Sequence, residues 1–202
     1  MIHRSTILWG KHVGLQPFEQ ILTDAQIARV YAWSRDDYVL RLSGGSATDL
    51  SFDEFRARLR EDQQHPLDNR LAFFILTRDG QLIGRIGVFM IDWSKREGEL
   101  GIVIGQASEW NKGYGREAIG LLLEYIFHET SLERINLFTF TDNLRAQRCF
   151  AACGFRALGT VRRFLPDLGE YDGIEMEITR REFLANQRSR QHISISIEQD
   201  AK

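Results

Sequence analysis

Residues 98–127 read GELGIVIGQASEWNKGYGREAIGLLLEYIF, and this stretch decides the fold. After Glu99, residues 100–104 form an apolar run that predicts a buried strand over residues 99–104, and a glycine-punctuated turn, residues 110–115, comes soon after it. The segment after the turn carries one apolar stripe at helical spacing, formed by Ile119, Leu122, Leu123, Ile126 and Phe127. The stretch therefore predicts a strand, a tight turn and a helix in close succession.

The turn has the composition of an anion site. Gly113 and Gly115 lack a Cβ atom, so the backbone N–H groups there can come close to a ligand. The helix that follows presents unpaired N–H groups and the positive end of its dipole, and Lys112 and Arg116 add positive charge. This pattern predicts a phosphate or pyrophosphate site that needs no metal, with a plain tight loop as the alternative. A P-loop is discounted because the sequence lacks G-x-x-x-x-G-K-[ST].

A second informative stretch follows at residues 135–155 and reads INLFTFTDNLRAQRCFAACGF. The alternation in residues 134–140 predicts a strand, and residues 143–153 are predicted to follow it as a helix that ends at Gly154. Asn143 lies at the junction between the two, where asparagine is a common helix N-cap.

Three segments together resemble the GNAT superfamily of acetyl-CoA-dependent N-acetyltransferases. They are ELGIVI at residues 99–104, WNKGYGREA at residues 110–118 and NLRAQRCFAACGF at residues 143–155. The similarity is densest over residues 98–155 and extends more loosely over residues 7–183. It is nearest to the ribosomal-protein (Rim-type) branch, which often has a tryptophan at the position of Trp110.

The resemblance implies a fold and a cofactor. The fold is a mixed, mostly antiparallel twisted sheet of about seven strands, with helices on both faces and a splayed cofactor strand. The cosubstrate is acetyl-CoA, with its pantetheine arm paired to the backbone beside that strand and its pyrophosphate on the turn. The implied cofactor-binding residues, besides Asn143, are Ile102, Val103, Ile104, Trp110, Asn111, Lys112, Gly113, Tyr114, Gly115 and Arg116.

Glu99 is the candidate general base. An alkyl amine has a pKa of about 10.4, so at neutral pH the acceptor arrives charged and must lose a proton. The alternative is an exposed glutamate at a strand end, near Arg96 or Arg134. For Asn143, the resemblance adds a contact with the pantetheine amide or an ordered water to its role as a cap.

Phe150 departs from the pattern of the resembled family. Many members have a tyrosine at this position, thought to protonate the leaving thiolate, which phenylalanine cannot do. The nearest replacements by family layout are Cys149 and Tyr171.

The composition is that of an ordinary globular protein, with 202 residues, 43% of them hydrophobic and 27% charged. We expect one acetyltransferase domain, residues 1–184, and a tail, residues 185–202, that is flexible or adds an edge strand. The formal net charge of −2 does not indicate a nucleic-acid partner. The two cysteines form no disulfide framework and no zinc site. Without a signal-peptide pattern or a membrane-spanning run, the sequence predicts a cytoplasmic protein with no membrane partner.

The flanking segments predict the rest of the sheet and its helices. Strands are expected at residues 7–18, 71–77, 82–91, 156–163 and 174–179, with a loop at residues 166–173. The Asp79–Gly80 pair predicts a hairpin. Thr23 or Asp24, and Ser51 with Glu54 as a capping box, predict the starts of two helices.

The predicted function is transfer of an acetyl group from acetyl-CoA to a primary amine, by direct attack in a ternary complex. A protein N-terminus or a small-molecule amine would be the acceptor, and the chain would act as a monomer or homodimer. The alternative is a non-catalytic acyl-CoA-binding or sensing module, which Phe150 favours.

Overall fold

The computed structural model describes residues 6–165 and 169–188. Its strands are β1 (Leu8–Trp9), β2 (Val13–Pro17), β3 (Leu71–Thr77), β4 (Leu82–Asp92), β5 (Glu97–Ile104), β6 (Arg134–Phe140), β7 (Arg156–Leu165) and β8 (Gly169–Thr179). Its helices are α1 (Asp24–Trp33), α2 (Asp37–Ser43), α3 (Phe52–Gln64), α4 (Tyr114–Glu129), α5 (Leu144–Ala152) and α6 (180–188). A 3₁₀ turn (Ala107–Glu109) lies between β5 and α4. None of the helices within the described ranges combines the length and apolar character that a bilayer span requires.

The strands form one eight-stranded sheet in the order β1-β2-β3-β4-β5-β6-β8-β7. Every neighbouring pair is antiparallel except β5 and β6, which the helix α4 connects and which pair in parallel. The predicted mixed, mostly antiparallel sheet is confirmed, with eight strands rather than about seven.

The parallel pairing between β5 and β6 is short. It runs from Glu97 opposite Arg134 to Glu99 opposite Asn136, and β5 then continues to Ile104 with no partner among the described residues on that side. A gap therefore opens between two central strands, which confirms the predicted splay.

Helices cover both faces of the sheet, because the central strands are apolar on both sides. In β3, Phe73 and Ile75 pack into the cluster that contains α4, whereas Phe74 and Leu76 pack into the cluster that contains α1 and α3. The whole predicted apolar stripe of α4 is buried in the first cluster. Two packed layers thus hold β5 in the middle of the molecule.

Several local predictions are confirmed by their hydrogen bonds. Thr23 forms a capping box with Gln26 at the start of α1, and Ser51 forms one with Glu54 at the start of α3. Gly80 adopts a left-handed conformation, φ +83°, in the β3–β4 hairpin. Residues 71–77 and 134–140 are strands with the predicted bounds.

Other predictions were wrong. The single strand predicted at residues 7–18 is two strands, β1 and β2, with a turn between them. In this turn the Gly10 N–H donates to the Val13 carbonyl, and the His12 N–H donates to the Glu117 carboxylate of α4. Helix α2 was missed, although Asp36 caps it and Gly44 ends it with φ +67°.

The C-terminal part also differs from the prediction. The loop predicted at residues 166–173 is wrong from Gly169 onwards, where β8 begins, and residues 166–168 lie outside the described residues. Helix α6 extends to residue 188 and so includes the first residues, 185–188, of the predicted tail. The rest of the predicted tail, residues 189–202, also lies outside them.

Candidate active site

A cleft of about 960 Å³ opens along the gap between β5 and β6. Its walls come from β5, the turn before α4, the start of α5, β6 and the end of α2. Every predicted site residue lines this cleft: Glu99, Ile102, Val103, Ile104, Trp110, Asn111, Lys112, Gly113, Tyr114, Gly115, Arg116 and Asn143. The fold therefore brings the predicted residues of β5, of the turn, of the start of α4 and of the N-cap of α5 to one place.

The turn before α4 is shaped by two left-handed residues. Asn111 has φ +63° and Gly113 has φ +85°, a conformation that favours asparagine and glycine. Gly113 is the N-cap of α4, and no side chain in the described part of the chain caps the helix. A Cβ built on Gly113 would meet no atom within 4 Å, so the space in front of the helix start is open. This is the geometry of an anion site at a helix N-terminus.

Some of the positively charged side chains around the turn already contact another side chain, and others have no such partner among the described residues. Lys112 Nζ lies 2.9 Å from a Glu109 carboxylate oxygen, and so its charge already has a partner. The guanidinium of Arg145 lies 3.9 Å from the centroid of the Trp110 ring. Arg116 and Arg148 form neither an ion pair nor a side-chain hydrogen bond with the described residues, and both line the cleft. Two guanidinium groups are thus available to a bound anion.

Trp110 is enclosed by two side chains from other elements. Its ring lies 5.4 Å from the ring of Tyr38 in α2, and the guanidinium of Arg145 in α5 lies over it. The tryptophan therefore joins α2, the turn and α5 at the rim of the cleft. Arg145 and Arg148 were not predicted as site residues, although both follow Asn143 within two turns of α5.

Glu99 lies where the β5–β6 pairing ends, and its carboxylate is ion-paired. Oε2 of Glu99 is 2.7 Å from Nη1 of Arg163 in β7, and the two side chains are 24% and 30% exposed. Arg96 and Arg134, the cations expected near Glu99 in the alternative, form ion pairs with Glu133 and Glu177 respectively. Arg163 is 64 residues from Glu99 in the sequence, and no local pattern indicates the contact.

Arg163 is held by further contacts. Its Nη2 lies 3.6 Å from a carboxylate oxygen of Glu175 in β8, and its guanidinium is 4.9 Å from the centroid of the Phe138 ring in β6. The arginine thus links the β7–β8 hairpin to the start of the gap.

Asn143 is the predicted N-cap of α5. Its Oδ1 accepts a hydrogen bond from the Ala146 N–H at 3.2 Å, and its side chain is mostly buried. Its NH₂ group, which the cap was predicted to leave free, makes a long contact of 3.5 Å with the carbonyl oxygen of Leu42 at the end of α2. Asn143 therefore fixes α5 against the helix on the opposite rim.

Phe150 and Cys149 both line the cleft. Phe150 is buried with its ring 6.0 Å from that of Phe155. A hydrogen bond with Cys153 lowers the pKa of the Cys149 thiol, and the charges of Arg116 and Arg145 act in the same direction, against the effect of burial.

Tyr171, the other predicted replacement acid, stands edge-on to Phe140 with 5.0 Å between ring centroids and does not line the cleft. Within residues 6–165 and 169–188, no group of three or more His, Cys, Asp or Glu side chains could hold a metal ion.

Residues 15–156 match the acetyltransferase (GNAT) domain, and the chain belongs to this family. It is 26% identical over 157 residues to aminoglycoside N(6')-acetyltransferase type 1 of Klebsiella pneumoniae. The alignment covers 70% of this chain and 75% of that protein. It is 23% identical over 175 residues to an N-acetyltransferase 9-like protein of Caenorhabditis briggsae, covering 81% of this chain and 84% of that one.

The fold is also that of a spermidine N-acetyltransferase from Vibrio cholerae, solved with CoA and spermine. The TM-score is 0.71 at 21% identity, over 85% of this chain and 98% of that chain. The protein is an N-acetyltransferase that uses acetyl-CoA.

The residues of the cleft fit this cosubstrate. The open space before Gly113 and the free guanidinium groups of Arg116 and Arg148 suit phosphate groups. The unpaired inner edge of β5 offers backbone donors and acceptors to the amides of a pantetheine arm.

Proposed function

We propose that the protein moves the acetyl group of acetyl-CoA to a primary amine, which attacks directly in a ternary complex. The observation that carries this proposal is one continuous cleft. It joins an anion site at the start of α4 to a carboxylate, that of Glu99, at the closed end of the gap. The first suits the cosubstrate's phosphates, and the second suits an amine that must lose a proton.

In this proposal the turn binds the pyrophosphate through backbone N–H groups of residues 111–116, with Arg116 adding charge. The pantetheine arm lies along Ile102, Val103 and Ile104. A backbone N–H of β5 in the gap donates to the carbonyl oxygen as it gains negative charge, which is worth about 3 kcal/mol in comparable sites. Asn143 holds α5 in place and offers its amide to the arm.

Bound acetyl-CoA supplies a thioester, and a nitrogen–carbon bond to the acetyl group forms while the carbon–sulfur bond breaks and the sulfur leaves as a thiolate. Glu99 takes one proton from the acceptor ammonium, directly or through a water, so that a nitrogen lone pair becomes available. The second proton leaves the nitrogen as the amide forms and ends on the thiolate. Water or Cys149 carries that proton, since Phe150 cannot.

The acceptor class within this function is a primary amine. Relatives are named for aminoglycosides and spermidine, and the Rim-type resemblance of the turn adds the N-terminus of a protein. The cleft is open enough for a small molecule or an extended chain end beside the cosubstrate.

Phe150 in the cleft is the feature that a non-catalytic acyl-CoA-binding module of this family would share, so catalysis and binding alone are compared directly. The two are separated by thiol release from acetyl-CoA with a panel of amines, run beside calorimetric CoA titration. We expect CoA binding and turnover with at least one amine, reduced in Glu99→Gln. Tight CoA binding without turnover on any amine would establish the module instead.

A further inference from the structure

The carboxylates that the described residues place in the cleft already have cationic partners, so none is free to bind a polycation. Among the described residues that line it, the acidic side chains are Glu99 and Glu109, and each is already paired, with Arg163 at 2.7 Å and Lys112 at 2.9 Å. The lining cations are Lys112, Arg116, Arg145, Arg148 and Arg163. Even with the phosphates of CoA in place, an acceptor carrying several ammonium groups would leave most of them without a partner, which is costly in a partly enclosed site.

The Glu99–Arg163 pair offers one charge of each sign side by side. The carboxylate oxygen and the guanidinium nitrogen are 2.7 Å apart at the closed end of the gap. Arg163 is also anchored by Glu175 through its other terminal nitrogen, at 3.6 Å, and by the Phe138 ring. Arg163 can therefore release Glu99 and stay in place, with Nη1 free for another anion.

We propose that the acceptor is zwitterionic, an α-amino acid or another small molecule with a carboxylate next to its amine. This inference rests on the proposed function. The ammonium replaces Arg163 at Glu99, and the carboxylate replaces Glu99 at Arg163, so the ion pair opens and no charge loses a partner. Arg163 then acts as a specificity-determining residue that holds the carboxylate through charge-assisted hydrogen bonds while the amine gives its proton to Glu99.

The test compares matched acceptors on the full chain. Thiol release is measured with the standard amino acids, with the amide of each, with the corresponding decarboxylated amines, and with spermidine. We expect kcat/KM for the best amino acid to exceed that of its own amide by about 10- to 100-fold, the value of one hydrogen-bonded charge pair. Spermidine is expected to be a poorer substrate than the best amino acid.

Variants then assign the preference to Arg163. In Arg163→Gln we expect the ratio of kcat/KM for the amino acid to kcat/KM for its amide to fall towards one. In Arg163→Lys we expect this ratio to recover in part. The matched control is Arg162→Gln on the same strand, because Arg162 pairs with Asp172 at 2.8 Å and does not line the cleft. The ratio should stay at its wild-type value in that control.

Two results would overturn the inference and leave the proposed function in place. The first is faster turnover of spermidine or of an amide than of any amino acid. The second is an unchanged ratio of kcat/KM between amino acid and amide in folded Arg163→Gln. CoA binding with no turnover on any amine would overturn both. The comparison of acceptors on the wild-type protein decides the matter even if an Arg163 variant fails to fold.

Discussion

The indole Nε1 of Trp110 donates a hydrogen bond of 2.7 Å to the carbonyl oxygen of Ile104, the last residue of β5. This contact fastens the turn before α4 to the end of the strand that borders the gap. The ring of Trp110 is in turn enclosed by Tyr38 and Arg145. The turn therefore has a fixed position without any ligand, and substitutions in it can be interpreted through what they do to binding.

Gly115→Ala should weaken CoA binding while stabilising the fold. A Cβ at this position would have its nearest neighbours, Cys149 and Ile102, 3.8 and 3.9 Å away, and the position does not need a left-handed backbone. Alanine also favours a helix over glycine by about 1 kcal/mol. If phosphate approaches the backbone here, the methyl group should raise the CoA dissociation constant about tenfold or more by displacing a charge-assisted hydrogen bond. Calorimetric titration and thermal unfolding measure the two effects.

The control is Gly120→Ala in the same helix, where a Cβ would meet nothing within 4 Å and the position lies outside the cleft. It should raise the melting temperature without changing CoA affinity. Gly113→Val is a less specific probe, because φ +85° strains any residue with a branched side chain. Equal CoA affinity in Gly115→Ala and the wild type would exclude the proposed site for the pyrophosphate.

Phe150→Tyr should bind CoA normally and turn over faster. The ring lines the cleft, so an added hydroxyl could reach the leaving sulfur. We expect a gain in kcat of about 2- to 10-fold, below the 10²–10⁴ typical of general acids, because a thiolate is already a tolerable leaving group. Phe155→Tyr is the control, since it adds the same hydroxyl to a buried neighbouring ring outside the cleft and should only lower stability. A normally folded Phe150→Tyr that lost activity would show that no leaving-group acid can act from this position.

The Cys149 thiol should react with iodoacetamide faster than a free cysteine at neutral pH. Its pKa is lowered chiefly by the hydrogen bond with Cys153, so a larger fraction is thiolate. Cys153→Ala removes that bond, and the alkylation rate of Cys149 at neutral pH should fall as its pH profile moves to higher pH. Bound CoA should protect Cys149, because the thiol lines the cleft. Peptide mass spectrometry gives the rates, and an alkylation rate in Cys153→Ala equal to that of the wild type would contradict this account.

Glu99→Gln should lower kcat/KM by about 10²–10⁴-fold at neutral pH, the usual contribution of a general base. The loss should shrink as the pH rises towards the pKa of the acceptor amine, which is about 10.4 for an alkyl amine and lower for an α-amino group, because more of the acceptor then arrives neutral. CoA affinity should hold, since the proposed phosphate contacts are elsewhere. The measurement is a pH–rate profile of both proteins with one good acceptor.

Glu175→Gln is the control for Glu99→Gln. It removes a negative charge beside Arg163 without removing the proposed general base. Glu175 touches the same guanidinium at 3.6 Å but does not line the cleft, so we expect less than a tenfold effect and an unchanged shape of the profile. Parallel profiles for Glu99→Gln and the wild type, with a small constant offset, would mean that bulk water takes the proton.

The sequence predicted best where local pattern and tertiary packing agree. The strand at residues 71–77, the stripe of α4 and the caps at Thr23 and Ser51 each follow from periodicity or from a side chain that bonds its own backbone. The twelve predicted site positions all line one cleft because they lie on β5 or follow the ends of β5 and β6, which are neighbours in the sheet. Their roles in binding and catalysis stay predictions.

What the sequence could not predict depends on partners distant in the chain. Residues 169–173, GEYDG, have the composition of a loop but are a strand because β7 pairs with them, with Arg163 opposite Tyr171. The contact between Glu99 and Arg163 requires the β7–β8 hairpin to bring one side chain to another strand, and no spacing encodes this. Helix α2 is seven residues long, too short for a clear apolar period.

The gap beside β5 is, in effect, an exposed edge in the interior of a sheet. Edges of this kind usually invite another extended chain, and proteins protect them at the periphery with charges or bulges. Here the edge is closed at Glu99 and bordered by α5, and its backbone groups suit a slender, amide-bearing arm. The arm of CoA would then finish a secondary structure that the chain leaves incomplete. The amide protons of residues 100–104 that face the gap should accordingly exchange slowly with solvent only while it is bound.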